Sequence, residues 1–206
     1  YYTSSTIPTS IRALSTGDIN IDIYSAKLDF EIPFKAFKLD YGAKVYWIKN
    51  GSDSKYFDRI SGTPILDPSK SDHFNYSEQG QALYVSTSKE WSPKWTTQVG
   101  IRMEATQTKG ASYALEQTDK KNFIDFFPTV YIMYKPAEDH SLNLNYNKRI
   151  TRPPFWALNP FRWYIDAYSY SQGNPFLQPY NTHKLELSYT YKNNWNSKVE
   201  YSYTSN

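Results

Sequence analysis

The sequence contains no cysteine, so neither a disulfide framework nor a thiolate metal site is available to it. No apolar run approaches the ~18 residues that a membrane-crossing helix needs. No basic-then-apolar leader opens the chain, which starts at Tyr1 and reads as a mature or excised piece of a longer protein. Charge of one sign is also missing. Twenty-three basic and 20 acidic residues leave a net +3, scattered along the chain, which gives nucleic acid no basic patch. A missing apolar helix does not exclude a membrane, because barrel strands carry a weaker signal per segment. What the chain does have is aromatic side chains: 18% of residues, as 20 Tyr, 11 Phe and 6 Trp. Disordered chains lack aromatics, so this composition points to residues alternating between two environments.

The alternation is visible as a period of two. Leu142, Leu144 and Tyr146 interleave with Asn143, Asn145 and Asn147. Leu185, Leu187, Tyr189 and Tyr191 interleave with Glu186, Ser188 and Thr190. Val199, Tyr201 and Tyr203 do so with Glu200, Ser202 and Thr204. Successive strand side chains point to opposite faces, so each stretch is a strand with one apolar face. Trp95–Met103 and Leu39–Trp47 follow the same rule, and weaker strands are expected near 81–89 and 127–134. Ala26, Leu28, Phe30 and Ile32 form another apolar set. Ile19, Ile21 and Ile23 before them have the opposite parity, which predicts a bulge near Tyr24 or a change of environment along the strand. No segment shows a helical period.

The connections alternate in length. Pro33–Phe37, Glu90–Lys94, Lys135–His140 and Lys192–Asn196 are short, whereas Lys49–Gly80, Thr106–Phe126 and Ile150–Thr182 are long. Antiparallel strands then place every long loop at one end. That is the arrangement of an outer-membrane barrel, with short periplasmic turns and long extracellular loops. The strands are expected to run about 9–12 residues, near the length that crosses a tilted bilayer span. Phe34, Phe37, Trp91, Trp95, Tyr134 and Trp195 lie close to the short turns, where an aromatic girdle would meet the membrane–water boundary.

Catalytic and metal chemistry finds no foothold. His73, His140 and His183 stand far apart and outside any metal-ligand spacing. Asp29, Glu31, Asp40, Glu104 and Glu186 fall on the polar strand face beside Lys27, Lys38, Lys44 and Arg102, as a wet lumen would require. No Gly-x-Ser-x-Gly elbow occurs. The run from Asp67 to Asp72 lacks the Gly and the terminal Glu of a calcium loop, and reads as solvated loop. No catalytic residue, metal site or cofactor is expected.

Further residues carry a family likeness. Arg152-Pro153, then Leu158-Asn159-Pro160-Phe161, then Gly173-Asn174-Pro175-Phe176-Leu177-Gln178-Pro179 resemble, as a set, the outer-membrane β-barrel family of TonB-dependent-receptor type. Tyr24–Phe30, Gly100–Glu104 and Phe127-Pro128 resemble further blocks of that family. The resemblance implies an all-β fold in the bacterial outer membrane: an antiparallel up-and-down transmembrane barrel segment of about eight strands. It further implies that residues 1–206 form part of a barrel of about 22 strands, the plug domain and remaining strands lying elsewhere. Its partners would be outer-membrane lipid, that plug and an inner-membrane energy-coupling protein, with a small nutrient as ligand.

The loop Ile150–Thr182 is the candidate binding region. Arg152, Trp156, Asn159, Arg162, Trp163, Tyr164, Tyr168, Tyr170 and Asn174 offer aromatic faces for stacking and directed hydrogen bonds. The alternative is a packed loop, stiffened by prolines 153, 154, 160, 175 and 179, that braces the barrel mouth. Three functions therefore stand open. The first is nutrient binding and uptake through a receptor barrel. The second is a surface ligand-binding or adhesion barrel without energy-coupled transport. The third, a soluble β-sandwich hydrolase, requires the loop alternation to be accidental.

Overall fold

Alternating residues produce alternating burial, and the strands follow. A computed structural model describes residues 13–59, 62–165 and 169–205. In chain order the strands are β1 Ala13–Pro33, β2 Lys38–Asp58, β3 Ile65–Leu66, β4 Asp72–Ser92, β5 Trp95–Ser112, β6 Gln117–Tyr134 and β7 His140–Thr151. A single helical turn, α1 Phe155–Leu158, precedes β8 Arg162–Tyr164, β9 Tyr170–Gln172, β10 Tyr180–Tyr191 and β11 Trp195–Ser205. The long strands form one antiparallel sheet in the order β1-β2-β4-β5-β6-β7-β10-β11, with β3 laid beside β2 and β8–β9 as a separate hairpin. Each long strand neighbours the next one in the chain, which is up-and-down topology. Among the described residues β1 pairs only with β2 and β11 only with β10, so the sheet is open at both edges.

Register turns this order into two faces. Leu28, Ala43, Leu83, Met103 and Phe126 succeed one another across β1, β2, β4, β5 and β6, all on the outward apolar face. The inward face is polar, with Tyr46, Glu78, Glu104 and Asp125 among its residues. Outward residues from Trp95 to Ala105 rise about 24 Å at ~3.4 Å per residue and a tilt of ~45°, close to the ~25 Å apolar band of such barrels. The short-turn end carries the expected aromatics. Trp95 stacks on Tyr134 at 4.3 Å, Phe34 on Phe37 at 4.8 Å, and Trp91 and Trp195 lie exposed. At the last short turn Lys192 and Asn193 take φ of 48° and 55°, the left-handed pair of a type I′ turn.

Two expectations are corrected, and a choice between two readings is decided. First, the strands are longer than 9–12 residues: β1, β2 and β4 have 21 each, and β5 and β6 have 18. Thr106–Phe126 is accordingly no long loop. β5 runs on to Ser112 and β6 begins at Gln117, with a four-residue turn between them, Glu116 having a φ of 50°. Above the membrane both faces are wet, so the period-two signal fades while the ladder continues. Second, the stretch between β2 and β4 contracts to 59–71 and contains structure. Asp67 caps a 3-10 turn over Pro68–Lys70, its Oδ1 accepting from the Ser69 amide at 3.0 Å and the Ser69 hydroxyl at 2.6 Å. Those bonds hold the Asp67 carboxyl below its ordinary range. Asp72, at the other end of this stretch, is buried. Of the two readings of the parity change near Tyr24, β1 shows the second and has no bulge. Its register with β2 is unbroken from Ala13↔Asp58 to Pro33↔Lys38. The change is one of environment: Ile19, Ile21 and Ile23 lie on the inward face, opposite Ser52, Asn50 and Ile48.

Candidate functional site

β7 and β10 remain paired up to Thr151↔Tyr180, but β7 leaves β6 above Asn147↔Thr129. The two ends of the loop that follows, residues 152–158 and 175–177, fold inward over β4, β5 and β6. The loop's first residue is its main anchor. Arg152 Nη2 donates to Glu104 Oε2 at 3.1 Å and to Thr106 Oγ1 at 2.9 Å. Arg152 Nε stands 3.8 Å from Glu78 Oε1, near enough for charge attraction and too far for a hydrogen bond. Glu78 is itself held by the Tyr46 and Tyr76 hydroxyls at 2.7 and 2.8 Å, and Glu104 also accepts from Arg102 Nε at 2.6 Å. Tyr46's ring lies where a Cβ at Gly80 would otherwise be, which brings its hydroxyl to Glu78.

Pro153 and Pro154 turn the chain, and α1 drops two apolar side chains onto the wall. Phe155 packs against Phe74 at 5.5 Å and edge-on to Tyr76 at 6.3 Å, while Leu158 is buried. Further along, Lys121 Nζ donates to the Pro175 and Leu177 carbonyls at 3.0 Å each. Between loop and wall remains a void of about 30 Å³, room for roughly one water.

Within the loop the asparagines have backbone work. Asn159 Oδ1 accepts from Phe161 N at 3.0 Å, and Asn174 Oδ1 from Phe176 N at 2.9 Å, both Asx turns. The Gly173 amide donates to Asn159 O at 3.0 Å and the Asn174 amide to Ala157 O at 2.7 Å. That crossing is so close that a Cβ at Gly173 would collide with both carbonyls.

The remaining candidates gather on the far side. β8 and β9 pair through Arg162↔Gln172, Trp163↔Ser171 and Tyr164↔Tyr170. The Arg162 guanidinium lies 4.8 Å over the Tyr170 ring. Trp156 is 75% and Trp163 53% exposed, as are Ile165 and Phe176 of the same loop, while Leu158 is buried against the wall. Trp156 and Trp163 line a cleft of about 330 Å³ between the loop and the inward face of β1 and β2, shared with Ile19, Ser52, Ser54 and Phe161. None of the cleft's lining side chains is charged. Tyr168 lies outside the described residues.

The candidates therefore separate into an anchor (Arg152), turn-formers (Asn159, Asn174) and residues that face open space (Trp156, Trp163). Sequence reasoning passed over Phe155, Leu158 and Lys121, which hold the loop down, and Glu78, which fell inside an expected loop. Parity did give one signal: Tyr46 and Glu104 were already on the polar face. Among the described residues no cluster of metal-ligating side chains occurs. His140 Nδ1 meets the Tyr189 hydroxyl at 2.7 Å and His183 Nδ1 the Tyr146 hydroxyl at 2.9 Å.

An up-and-down sheet with an apolar outward band, an aromatic belt at its short turns and a loop folded inward is the wall of an outer-membrane β-barrel. The chain belongs to the outer membrane protein beta-barrel family, whose model matches residues 1–206. Solved outer-membrane proteins share the fold. The copper transporter OprC superposes with a TM-score of 0.71 at 12% identity, over 92% of this chain and 30% of its own. The ferric yersiniabactin uptake receptor FyuA from Yersinia pestis gives 0.60 at 14%, over 95% and 30%. The ferric citrate transporter FecA in its unliganded form gives 0.59 at 12%, over 91% and 27%. The chain thus spans about three-tenths of these transporters. No curated protein matches it significantly by sequence.

Proposed function

We propose that this chain is the ligand-facing part of the barrel of a TonB-dependent-receptor-like protein that binds a small nutrient outside the cell and passes it inward. One observation carries the reading: a loop pinned to the inward wall by Arg152, Phe155 and Lys121 nevertheless leaves Trp156 and Trp163 open over an uncharged cleft. Burying either indole would stabilise the loop, at ~25 cal/mol per Å² of apolar surface, so a folded loop that keeps both exposed favours contact with something else. Two indoles, with Ser171 beside Trp163 and Ser52 and Ser54 on the wall opposite, suit a neutral ligand with a flat apolar face and hydroxyl groups. In the intact protein residues 1–206 would share a closed barrel with further strands, around a plug that an inner-membrane partner moves.

The test uses the full-length protein carrying this chain, reconstituted in vesicles. Trp156→Ala and Trp163→Ala are each expected to weaken saturable tryptophan quenching by neutral oligosaccharides about tenfold, the loss of ~1.4 kcal/mol of stacking. Ferric citrate is expected to give no saturable quenching. Equal quenching in both variants and the parent would refute the site. Dissipating the inner-membrane potential in cells separates import from adhesion: uptake of the quenching ligand stops while surface binding persists. A cell that binds but never accumulates the ligand has the adhesion barrel instead.

A further inference from the structure

The outward face changes character above the apolar band. Register places Tyr24, Trp47, Gln79, Gln107 and Asn122 on one rung across β1, β2, β4, β5 and β6. The next outward rung, two residues further from the short turns, reads Asp22, Lys49, Ser77, Lys109 and Lys120. Lys109 and Lys120 stand directly opposite on neighbouring strands and repel one another, and Lys49 adds a third positive charge two strands away, a placement that a sheet without an anionic partner disfavours.

We propose that Lys49, Lys109 and Lys120 form a docking site for the phosphate groups of anionic lipid in the outer leaflet. The height is right. The lysine rung stands roughly 7 Å of strand beyond the Trp47 rung, one same-face step, where the apolar band has given way to headgroups. The direction is right as well: all three side chains are exposed on the face whose lower part meets hydrocarbon, not on the face that carries the loop. At ~4.8 Å between strands the three charges span about 14 Å along the membrane surface. This suits phosphates held by lipids lying side by side, or two on one glycolipid.

The lysines are also unspent. Among the described residues none of the three makes an ion pair, a hydrogen bond or a ring contact; even Asp22, the cross-strand partner of Lys49, is not salt-bridged to it. The contrast with the neighbouring residue is direct. Lys121 points inward and satisfies itself on Asp119 at 3.1 Å and on the two loop carbonyls. Lys120, one residue away and on the other face, stands opposite Lys109 and has no ion-pair or hydrogen-bond partner among the described residues. Two grooves of about 360 and 370 Å³ run along this rung, and both are lined by Lys49, Ser77 and Lys109. Lysine stems lying along such a groove put their ammonium groups at headgroup depth.

The experiment uses the full-length protein in vesicles of phosphatidylcholine, with or without diphosphoryl lipid A, extracted gently and weighed intact by native mass spectrometry. The parent protein is expected to keep lipid A through extraction and to exchange it for phosphatidylcholine poorly. The triple variant Lys49→Gln, Lys109→Gln, Lys120→Gln is expected to retain roughly a hundredfold less, at about fivefold for each lysine near an anionic surface. Because the three side chains are outward and solvated, the variant keeps its fold, checked by unboiled gel migration. Lys89→Gln, near the short turns and 3.9 Å over Trp91, is expected to retain lipid A as the parent does. Lipid A that survives millimolar inorganic phosphate is bound as a lipid. Equal retention by the triple variant, equal loss in Lys89→Gln, or full displacement by inorganic phosphate would overturn the proposal.

Discussion

Arg152 brings one positive charge to a face where Glu78 and Glu104 already sit, and that charge makes their partial burial affordable. Side-chain exposure is 24% for Arg152, 10% for Glu78 and 15% for Glu104. Removing Arg152 leaves Glu104 with Arg102 as its remaining cation and Glu78 with only the Tyr46 and Tyr76 hydroxyls, and a carboxylate stripped of its cation costs ~3–5 kcal/mol where burial is complete. With a quarter of Arg152 still wet, Arg152→Ala is expected to cost about 2 kcal/mol, and the cost should fall on the loop rather than on the sheet. Limited proteolysis reads this directly. The variant should be cut between 153 and 179 while β4–β6 stay intact; an uncut loop means that Phe155 and Lys121 suffice. Arg152→Lys should rescue little, because one ammonium cannot serve Glu104, Thr106 and Glu78 from a planar fork. The candidate residues were legible in sequence as a group, because aromatics, arginines and prolines crowd one loop. Their separate roles were not. Asn159 and Asn174 look as available for a ligand as any asparagine until the backbone shows their side chains closing Asx turns.

At the level of elements, legibility tracked the environment. β7, β10 and β11 were readable to within a few residues because one face is apolar along most of their length. The upper halves of β2, β4, β5 and β6 were not, because there the outward side meets water and the inward side is polar even where buried, as at Asn50, Ser52 and Ser54. What keeps these extensions paired is backbone bonding supported by local side-chain ties. The clearest is Asp72, whose Oδ2 accepts from the Ser112 hydroxyl at 2.8 Å and whose Oδ1 accepts from the Ala114 amide at 2.9 Å, joining the base of β4 to the β5–β6 turn. Asp72→Ala strands that amide and frees the turn, at a cost of about 1–2 kcal/mol. Amide exchange at 113–116 should then accelerate at least tenfold while Ile101 and Met103, deep in the band, keep their protection. Unchanged exchange at 113–116 would show that the ladder alone holds the extension. Inward placement of Ile19, Ile21 and Ile23 was beyond sequence reasoning for a related reason: parity reveals a switch of face but not whether a bulge or a new environment produces it.

The whole molecule poses a problem that neither residue nor element resolves, namely the two free edges. β1 is exposed along its entire length, and β11 along nearly all of its own. Every second amide on each edge strand points away from its partner, and inside a hydrocarbon layer such groups have no water to bond. Closure of these eight strands on themselves would remove the problem, since an even number lets antiparallel ends meet. The observed sheet does not do so, and its likeness covers three-tenths of much larger barrels. A larger barrel in which β1 and β11 each meet another strand is the expectation that this likeness suggests. Hydrogen exchange on this chain in detergent distinguishes the two states. An open sheet leaves the outward-pointing amides of β11 exchanging at least a hundredfold faster than those of β5, which has partners on both sides. Supplying the neighbouring strands in the full-length protein should slow them to the β5 rate. Equal protection of β11 and β5 in the isolated chain would mean that the edges have joined, and a small closed barrel would have to replace the open wall.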